Sequence, residues 1–272
     1  MNQKFSVLIS LYKTNDPFFF EQAMKSCLEQ TYPPSEIVLV IDGESTHEQQ
    51  KIIDNIYLKY KNILKIVPLE KNIGQGPALN EGLKYCSHEL VARMDTDDIS
   101  KPTRFEKQMM VFEQNNEIDA VSSWVDEFID SPDVIINTRK IPENQLEIIK
   151  YSKSRCPLNH PAVMYKKSKI IECGGYELLG FMDDYILWMK LLKNGAIFYN
   201  IQESLLYYRM GKDMYKRRGG IKYAIDECKL QWLFYNYGMV NIPVAIKNLI
   251  IRSFSRIIPN KLRAFIYKKY LR

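Results

Sequence analysis

The sequence contains no Cys-x-x-Cys pair, and its five cysteines, Cys27, Cys86, Cys156, Cys173 and Cys228, are odd in number. That spacing supports neither a disulfide framework nor a zinc site; single thiols of this kind belong to a reducing cytosol. No apolar run approaches the ~20 residues that a membrane-spanning helix needs. The short run Phe5–Leu11 stops at Tyr12 and Lys13, too early for the apolar core of a secretion signal. Internal repeats and low-complexity linkers are absent too. Acid is missing from one region: residues 243–272 hold eight Lys or Arg and no Asp or Glu. The formal net charge is +6, and +6 less the +8 of that segment leaves −2 for the remainder. A body so close to neutral is a poor nucleic-acid binder, and the basic character belongs to the tail.

What is present is a chain of 272 residues, 46% hydrophobic and 26% charged, long enough for one large domain or two fused halves. Short apolar runs alternate with helical patterns through the first half. Phe5–Leu11, Ile37–Ile41, Ile63–Val67 and Leu90–Met94 read as buried strands. Asp16-Pro17 reads as a helix cap and first position, a polar helix spans about 46–61, and Pro77 opens another helix after the Gly-rich stretch Asn72–Gly76. Four strands with helical connections predict a mostly parallel sheet covered by helices. Beyond a seam near residues 99–103, a helix opens at Pro102. Strands follow at Ala120–Trp124 and Val134–Thr138, then a helix at Glu143–Tyr151 and a strand at Ala162–Tyr165. A helix from about Asp184 to Lys193 precedes strands at Ala196–Ile201 and Ser204–Arg209.

The acidic run Asp95-Thr96-Asp97-Asp98 directly follows the fourth strand. In open α/β sheets ligands bind beyond the carboxyl ends of the strands. Carboxylates crowded there repel one another unless a cation joins them, and Mg²⁺ or Mn²⁺ prefers oxygen ligands. Taken alone, the run is also compatible with an acidic surface turn. A second pair, Asp183-Asp184, opens a later helix; it suits a general base, and it equally suits a helix cap.

These segments, in this order, resemble glycosyltransferase family 2, the inverting enzymes with the A-type nucleotide-sugar fold. The resemblance rests on Ser6–Tyr12, Ile37–Gly43, Asn72-Ile73-Gly74 with Ala78, Asn80 and Gly82, Asp95–Asp98, and Met182–Trp188. It spans about residues 5–210. It implies a UDP-sugar donor held by Tyr12, Asp42, Asn72, Gly74, Asn80, Arg93 and Asp95, with Tyr12 and Asp42 on the base. Asp97 and Asp95 would hold Mn²⁺ or Mg²⁺, with Asp98 in support. Asp184 would be the catalytic base beside Asp183, although Asp183 stands where the family more often has Glu. His160, Trp188, Arg209, Arg217 and Arg218 are candidates for the acceptor or a diphosphate. Without the resemblance, Asp42-Gly43 is an ordinary turn, Tyr12 a packed aromatic, His160 a structural residue and the basic loop a solvated charge run. The implied reaction is transfer of a hexose or N-acetylhexosamine to a glycan or an undecaprenyl-diphosphate-linked acceptor in surface polysaccharide synthesis of the O-antigen or capsule type. Two alternatives remain: a phosphatase of the haloacid dehalogenase type, which also places Asp-x-Asp after a strand, and a non-catalytic assembly protein docked on a membrane.

The expected organisation is a catalytic domain over residues 1–215, with a nucleotide-sugar half (1–100) and an acceptor half (101–215), then a basic helical segment over 216–272. From Val244 to Ile258 a helix would gather Val244, Ile246, Ile250, Ile251, Phe254, Ile257 and Ile258 in one apolar arc. Leu262, Phe265, Ile266 and Tyr270 suggest a second amphipathic stretch after Pro259. Such a segment would either pack on the body or lie on an anionic membrane, making a cytoplasmic protein peripheral on the inner face of the cell membrane.

Overall fold

Seven apolar or small residues make β1 (Phe5–Leu11), and nearly all are buried because the strand lies mid-sheet with layers on both faces. β1 pairs in parallel with β2 (Glu36–Ile41) and with β4 (Leu90–Met94), and β2 pairs in parallel with β3 (Leu64–Pro68). The computed structural model describes residues 3–177, 182–211 and 221–257. Three helices cross over between these strands. α1 (Pro17–Leu28) starts where Asp16 accepts from the amides of Phe18 and Phe19. α2 (His47–Tyr60) is closed by a reciprocal Thr46–Gln49 cap. α3 (Gln75–Tyr85) begins two residues before Pro77, because Gly74 turns the chain at φ 92°, where a side chain would be strained.

One buried acid ties this half together. Glu36 accepts from Ser6 Oγ (2.6 Å), Ser87 N (2.8 Å), Ser87 Oγ (2.7 Å) and Lys65 Nζ (3.1 Å). Burial alone would raise its pKa, but these donors outweigh it and hold the carboxyl at about 2. A folded-state pKa below the unfolded one adds stability above the ordinary carboxylate range, and that stability is lost as pH falls towards about 2. Glu36→Gln should therefore cost about 2–3 kcal/mol at neutral pH. In thermal melts the deficit should shrink on acidification; a constant deficit would show that the charge contributes nothing.

The second half extends the sheet through β5 (Ile99–Ser100), β6 (Ala120–Phe128), β7 (Asn137–Arg139), β8 (Met164–Lys166) and β9 (Phe198–Arg209). Among the described residues the strand order is β3-β2-β1-β4-β8-β6-β9-β5, with β7 on β6. β8 runs antiparallel to both β4 and β6, so it joins the halves while leaving β4, β6 and β9 pointing the same way. The carboxyl ends of β1, β2, β4, β6 and β9 thus open on one edge. Parallel pairing is confined to β1–β4 and to β6 with β9; the other contacts are antiparallel. Two expected strands are one: β9 runs unbroken, and register shifts around Trp124 of β6 absorb the irregularity. The strand expected at Ala162 starts later, because Pro161 and Ala162 lie in a 3-10 turn, His160–Ala162.

Helices α4 (Arg104–Gln114), α5 (Gln145–Ser152), α6 (Lys167–Glu172) and α7 (Asp183–Lys193) cover this half. Two more, α8 (Ile221–Asn236) and α9 (Ile242–Ile257), pack on α7, where Leu230, Phe234, Val240 and Val244 meet Met182, Tyr185, Ile186 and Met189. The arc expected on α9 is divided: Val244 faces the body, whereas Ile246, Ile250 and Ile251 are exposed. Inward, Asn248 donates to Lys153 O (2.7 Å) and Gln231 Oε1 (3.0 Å), so a polar side chain, not the isoleucine row, fills the seam. Arg217, Arg218 and residues 258–272 lie outside the described residues. Among those described, no helix is long and apolar enough to cross a membrane.

Candidate active site

Met94 ends β4, and the next four residues turn the chain over the carboxyl edge of the sheet. Asp95, Asp97 and Asp98 each bring one carboxylate oxygen to within 4.8 Å of the others. Their surroundings differ. Asp95 is gripped through both oxygens by the guanidinium of Arg93, and Gln75 Nε2 donates to its Oδ1 (2.9 Å). Asp97 is exposed as a residue, although the turn crowds its carboxyl group. Asp98 is fully buried; its Oδ1 accepts from the Arg209 amide (2.9 Å), and its Oδ2 has no hydrogen-bond partner.

The charges here are not balanced. Crowding away from water, then the Asp95 charge, push Asp97 up to about 6. Burial, then Asp97 and Asp95, push Asp98 well above the carboxylate range. Hard oxygen donors at this spacing, one of them a buried oxygen without a partner, fit a divalent cation. Asp97 and Asp95 would hold it, with Asp98 behind.

Two arginines departed from expectation. Arg93 is 1% exposed and lies under the site as the partner of Asp95, so it does not reach out to a donor. Arg209 was a candidate for a diphosphate. Instead its Nε donates to Asp97 O (2.9 Å), its Nη2 to Gln22 Oε1 (2.7 Å), and its guanidinium stacks on Phe19 and Phe128 at 3.8 and 4.6 Å. It clamps the acidic turn from below. Sequence reasoning missed Arg104 altogether. Fully buried, it donates to Arg93 O (2.7 Å) and Ser100 Oγ (3.0 Å), and burial pushes its pKa down to about 10. Its partners are carbonyls, a hydroxyl and the Gln108 amide, all uncharged, so no charge pattern along the chain announces it.

The expected base-binding residues are placed less openly. Tyr12 is half-buried just past β1, where its carbonyl accepts from Gln49 Nε2 (3.1 Å). Asp42 is 1% exposed, and its carboxylate faces inward on the next loop. Oδ1 accepts from Ile73 N (2.8 Å), and Oδ2 from Asn72 Nδ2 (2.7 Å) and Gly74 N (3.1 Å). Asp42 and Asn72 therefore build the turn that starts α3; with its acceptors so engaged, Asp42 does not present them to a base in this structure. A Cβ on Gly43 would sit 2.8 Å from Asn72 N, which is why glycine stands there. Asn80 also faces inward: it accepts from Tyr176 N (2.8 Å) and donates to Tyr176 O (2.9 Å), fastening the loop before α7.

That loop leads to the second acidic pair. Asp183 and Asp184 form the first turn of α7, both half-buried, with no side-chain cap made by Met182 before them. They diverge. A Cβ on Gly76 of α3 would lie 3.1 Å from Asp183 Oδ2, so Asp183 abuts the first turn of α3. Asp184 Oδ1 accepts from Tyr185 N (2.8 Å), and its Oδ2 lies 3.8 Å from Cys156 Sγ, ahead of the His160 turn. Both acidic groups border the first turn of α3: Gln75 bonds Asp95, and a Cβ on Gly76 would meet Asp183.

Trp188 is a core residue: it is fully buried, one turn beyond the acids on the inner face of α7, and packs on Tyr165 and Phe198. It cannot touch an acceptor. His160 Nε2 lies 3.0 Å from Tyr176 Oη, and its ring packs on Tyr176 and Trp188. Burial, then the nearby Arg93 charge, drive its pKa well below the ordinary value, so the ring is neutral. Tyr176, which sequence reasoning also missed, therefore joins α3, the His160 turn and the approach to Asp183.

This geometry has known counterparts. Residues 6–174 match the glycosyl transferase family 2 profile. The chain is 43% identical over 269 residues, 99% of its length and 97% of the relative's, to UDP-Gal:alpha-D-GlcNAc-diphosphoundecaprenol beta-1,3-galactosyltransferase of Escherichia coli. It is 36% identical to the amylovoran biosynthesis glycosyltransferase AmsE of Erwinia amylovora, over 97% of this chain and 98% of that one. In three dimensions it resembles S. aureus TarS 1-349 in complex with UDP-GlcNAc (TM-score 0.67, 18% identity, covering 99% of this chain and 76% of TarS 1-349). It also resembles the mannosyltransferase PcManGT of Pyrobaculum calidifontis in complex with GDP-Man and Mn²⁺ (TM-score 0.64, 15% identity, covering 99% and 81%). A haloacid dehalogenase phosphatase would carry its acidic motif after the first strand of its core, whereas here it follows β4, the fourth in chain order. With its profile match over more than half its length and near full-length relatives, the chain belongs to glycosyl transferase family 2 and is a glycosyltransferase.

Proposed function

We propose that the enzyme moves a hexose, galactose first among the candidates, from its UDP-sugar to a hydroxyl of an N-acetylglucosamine carried on undecaprenyl diphosphate, inverting the anomeric carbon. The observation that carries this reading is that two carboxylate groups border the same first turn of α3. It sits in a chain that aligns end to end with a transferase of that specificity. Asp97 and Asp95 hold Mn²⁺ or Mg²⁺, and the bound cation supplies positive charge to the departing diphosphate. Arg93 fixes Asp95, Arg209 fixes the Asp97–Asp98 turn, and Asp42 with Asn72 and Gly74 sets the start of α3 beneath the donor. Asp184, on the acceptor side of its pair, takes the proton of the attacking hydroxyl as the sugar–UDP bond breaks.

In this reading residues 1–215 are the catalytic unit, split near residue 100 into donor and acceptor halves, and residues 216–272 are a basic helical segment. A lipid-linked acceptor places the enzyme on the inner face of the cell membrane, with residues 243–272 in contact. The test is transfer from UDP-Gal, UDP-Glc and UDP-GlcNAc to a synthetic N-acetylglucosaminyl diphosphate lipid. A β-linked galactosyl product is expected by NMR, and excess chelator should stop its formation. Full turnover in chelator removes the metal from the mechanism; no transfer from any UDP-sugar removes the donor assignment.

A further inference from the structure

α8 and α9 contain two carboxylates, Asp226 and Glu227, and both are buried. Asp226 pairs with Lys229 (3.3 Å) and Glu227 with Arg252 (2.6 Å). Neither acid is therefore exposed on this hairpin, whose described surface is apolar, basic or neutral polar. Along α8, Ile221, Ile225 and Trp232 stand exposed at helical spacing, Trp232 at 66%. Along α9, Ile242, Ile246 and Ile250 form an i, i+4, i+8 ladder, Ile250 at 63%. Lys222, Lys229 and Lys247 are exposed among them. An apolar helix face is normally turned to the core. Here both helices already bury another face on α7, so the outward rows have a second purpose.

We propose that α8 and α9 together form a docking face for an anionic lipid surface, with Trp232 and Ile225 of α8 as anchors; this rests on the lipid-linked acceptor proposed above. The occupant follows from charge and side-chain type. A second copy in a two-fold dimer would set Lys against Lys with no exposed carboxylate in this segment to relieve them. An anionic leaflet supplies the missing negative charge, and an exposed tryptophan among isoleucines suits the boundary of headgroups and acyl chains. The face is also fixed relative to the site. Arg252, paired with Glu227, stacks at 5.5 Å on Tyr185, which follows Asp184 in the chain, and donates to Ser154 O (3.2 Å), two residues before Cys156. At the far end Lys193 lies over Tyr237 at 5.6 Å. The hairpin thus runs along α7, and the ends that carry Ile221, Ile225 and Ile250 lie at the Asp184 end. An acceptor diphosphate rising from that leaflet arrives beside the acidic pair.

The test is sedimentation of the full chain with phosphatidylglycerol–phosphatidylcholine vesicles at low salt, together with tryptophan emission. Of the three tryptophans, Trp188 is buried and Trp124 is half-buried, so a blue shift on adding vesicles reports Trp232. Trp232→Ser with Ile225→Ser should weaken partitioning by about tenfold or more and abolish the shift. Replacing Lys261, Arg263, Lys268, Lys269 and Arg272 by Gln should leave the shift in place. The proposal is overturned if the double variant pellets like wild type, if only the Gln variant loses binding, if wild type pellets with neither anionic nor neutral vesicles, or if light scattering shows a dimer that the same substitutions dissociate. Transfer to a short water-soluble acceptor, measured on all variants, separates the two readings. If it is retained while vesicle binding is lost, docking alone has been touched. If wild type shows no transfer, the functional reading fails whatever the vesicles do.

Discussion

Asp184→Asn should lower kcat by about 10²–10⁴-fold and leave UDP binding unchanged. Asparagine keeps the shape and the acceptor oxygen facing Tyr185 N, but it cannot take a proton. The reaction needs a base on the acceptor side because the hydroxyl becomes acidic only as it bonds to the anomeric carbon. Of the two neighbours, Asp184 faces Cys156, on the side proposed for the acceptor, whereas Asp183 abuts Gly76 at the head of α3, on the side proposed for the donor. Asp183→Asn should therefore act mainly on KM for the UDP-sugar. The decisive measurement is steady-state kinetics of both variants beside UDP-induced thermal shifts. If Asp183→Asn loses kcat and Asp184→Asn does not, the two roles are exchanged.

The sequence made some of this legible for physical reasons. Phe5–Leu11 and Leu90–Met94 were read with the bounds the structure shows, because a strand buried on both faces must be an apolar run ended by a polar turn. Asp16-Pro17 marked α1 because cap chemistry is local. The acidic turn was visible because its three carboxylates are neighbours in sequence. What escaped depends on partners distant in sequence. β5 has two residues and exists only by pairing with β9. Tyr176 and the Glu36 cluster are fixed by groups tens of residues away, and Arg104 by the carbonyls of Arg93 and of the distant Val163. The same blindness explains the misplaced roles. Arg93, Asp42, Asn80 and Arg209 look like free polar groups in a linear motif, yet each is spent on holding a loop that carries another residue. Trp188 follows Asp184 by one helical turn and shares its face of α7, yet Tyr165 and Phe198, brought in from other strands, bury it completely.

Asp97→Asn should abolish metal-dependent transfer and at the same time raise the thermal stability of the metal-free protein at neutral pH. Both effects have one cause. Asp97 is the most exposed residue of the cluster; Asp95 is paired with Arg93, and Asp98 is buried behind. Without a cation, Asp97 is held at about 6, above its ordinary value, so the charged form is disfavoured in the folded state. A group of that kind subtracts stability as pH rises through the interval from its ordinary pKa to about 6, the opposite of Glu36. The asparagine variant escapes that loss, and its advantage over wild type should vanish in acid. Metal binding has the converse dependence, since the ligand must be deprotonated: Mn²⁺ affinity should fall as pH drops below about 6 and level off above it. Isothermal titration with Mn²⁺ between pH 5 and pH 8, run beside melts of the metal-free proteins, reads both effects. A variant that binds Mn²⁺ like wild type, or one whose metal-free form is less stable at neutral pH, would show that Asp97 is not the ligand this crowding describes.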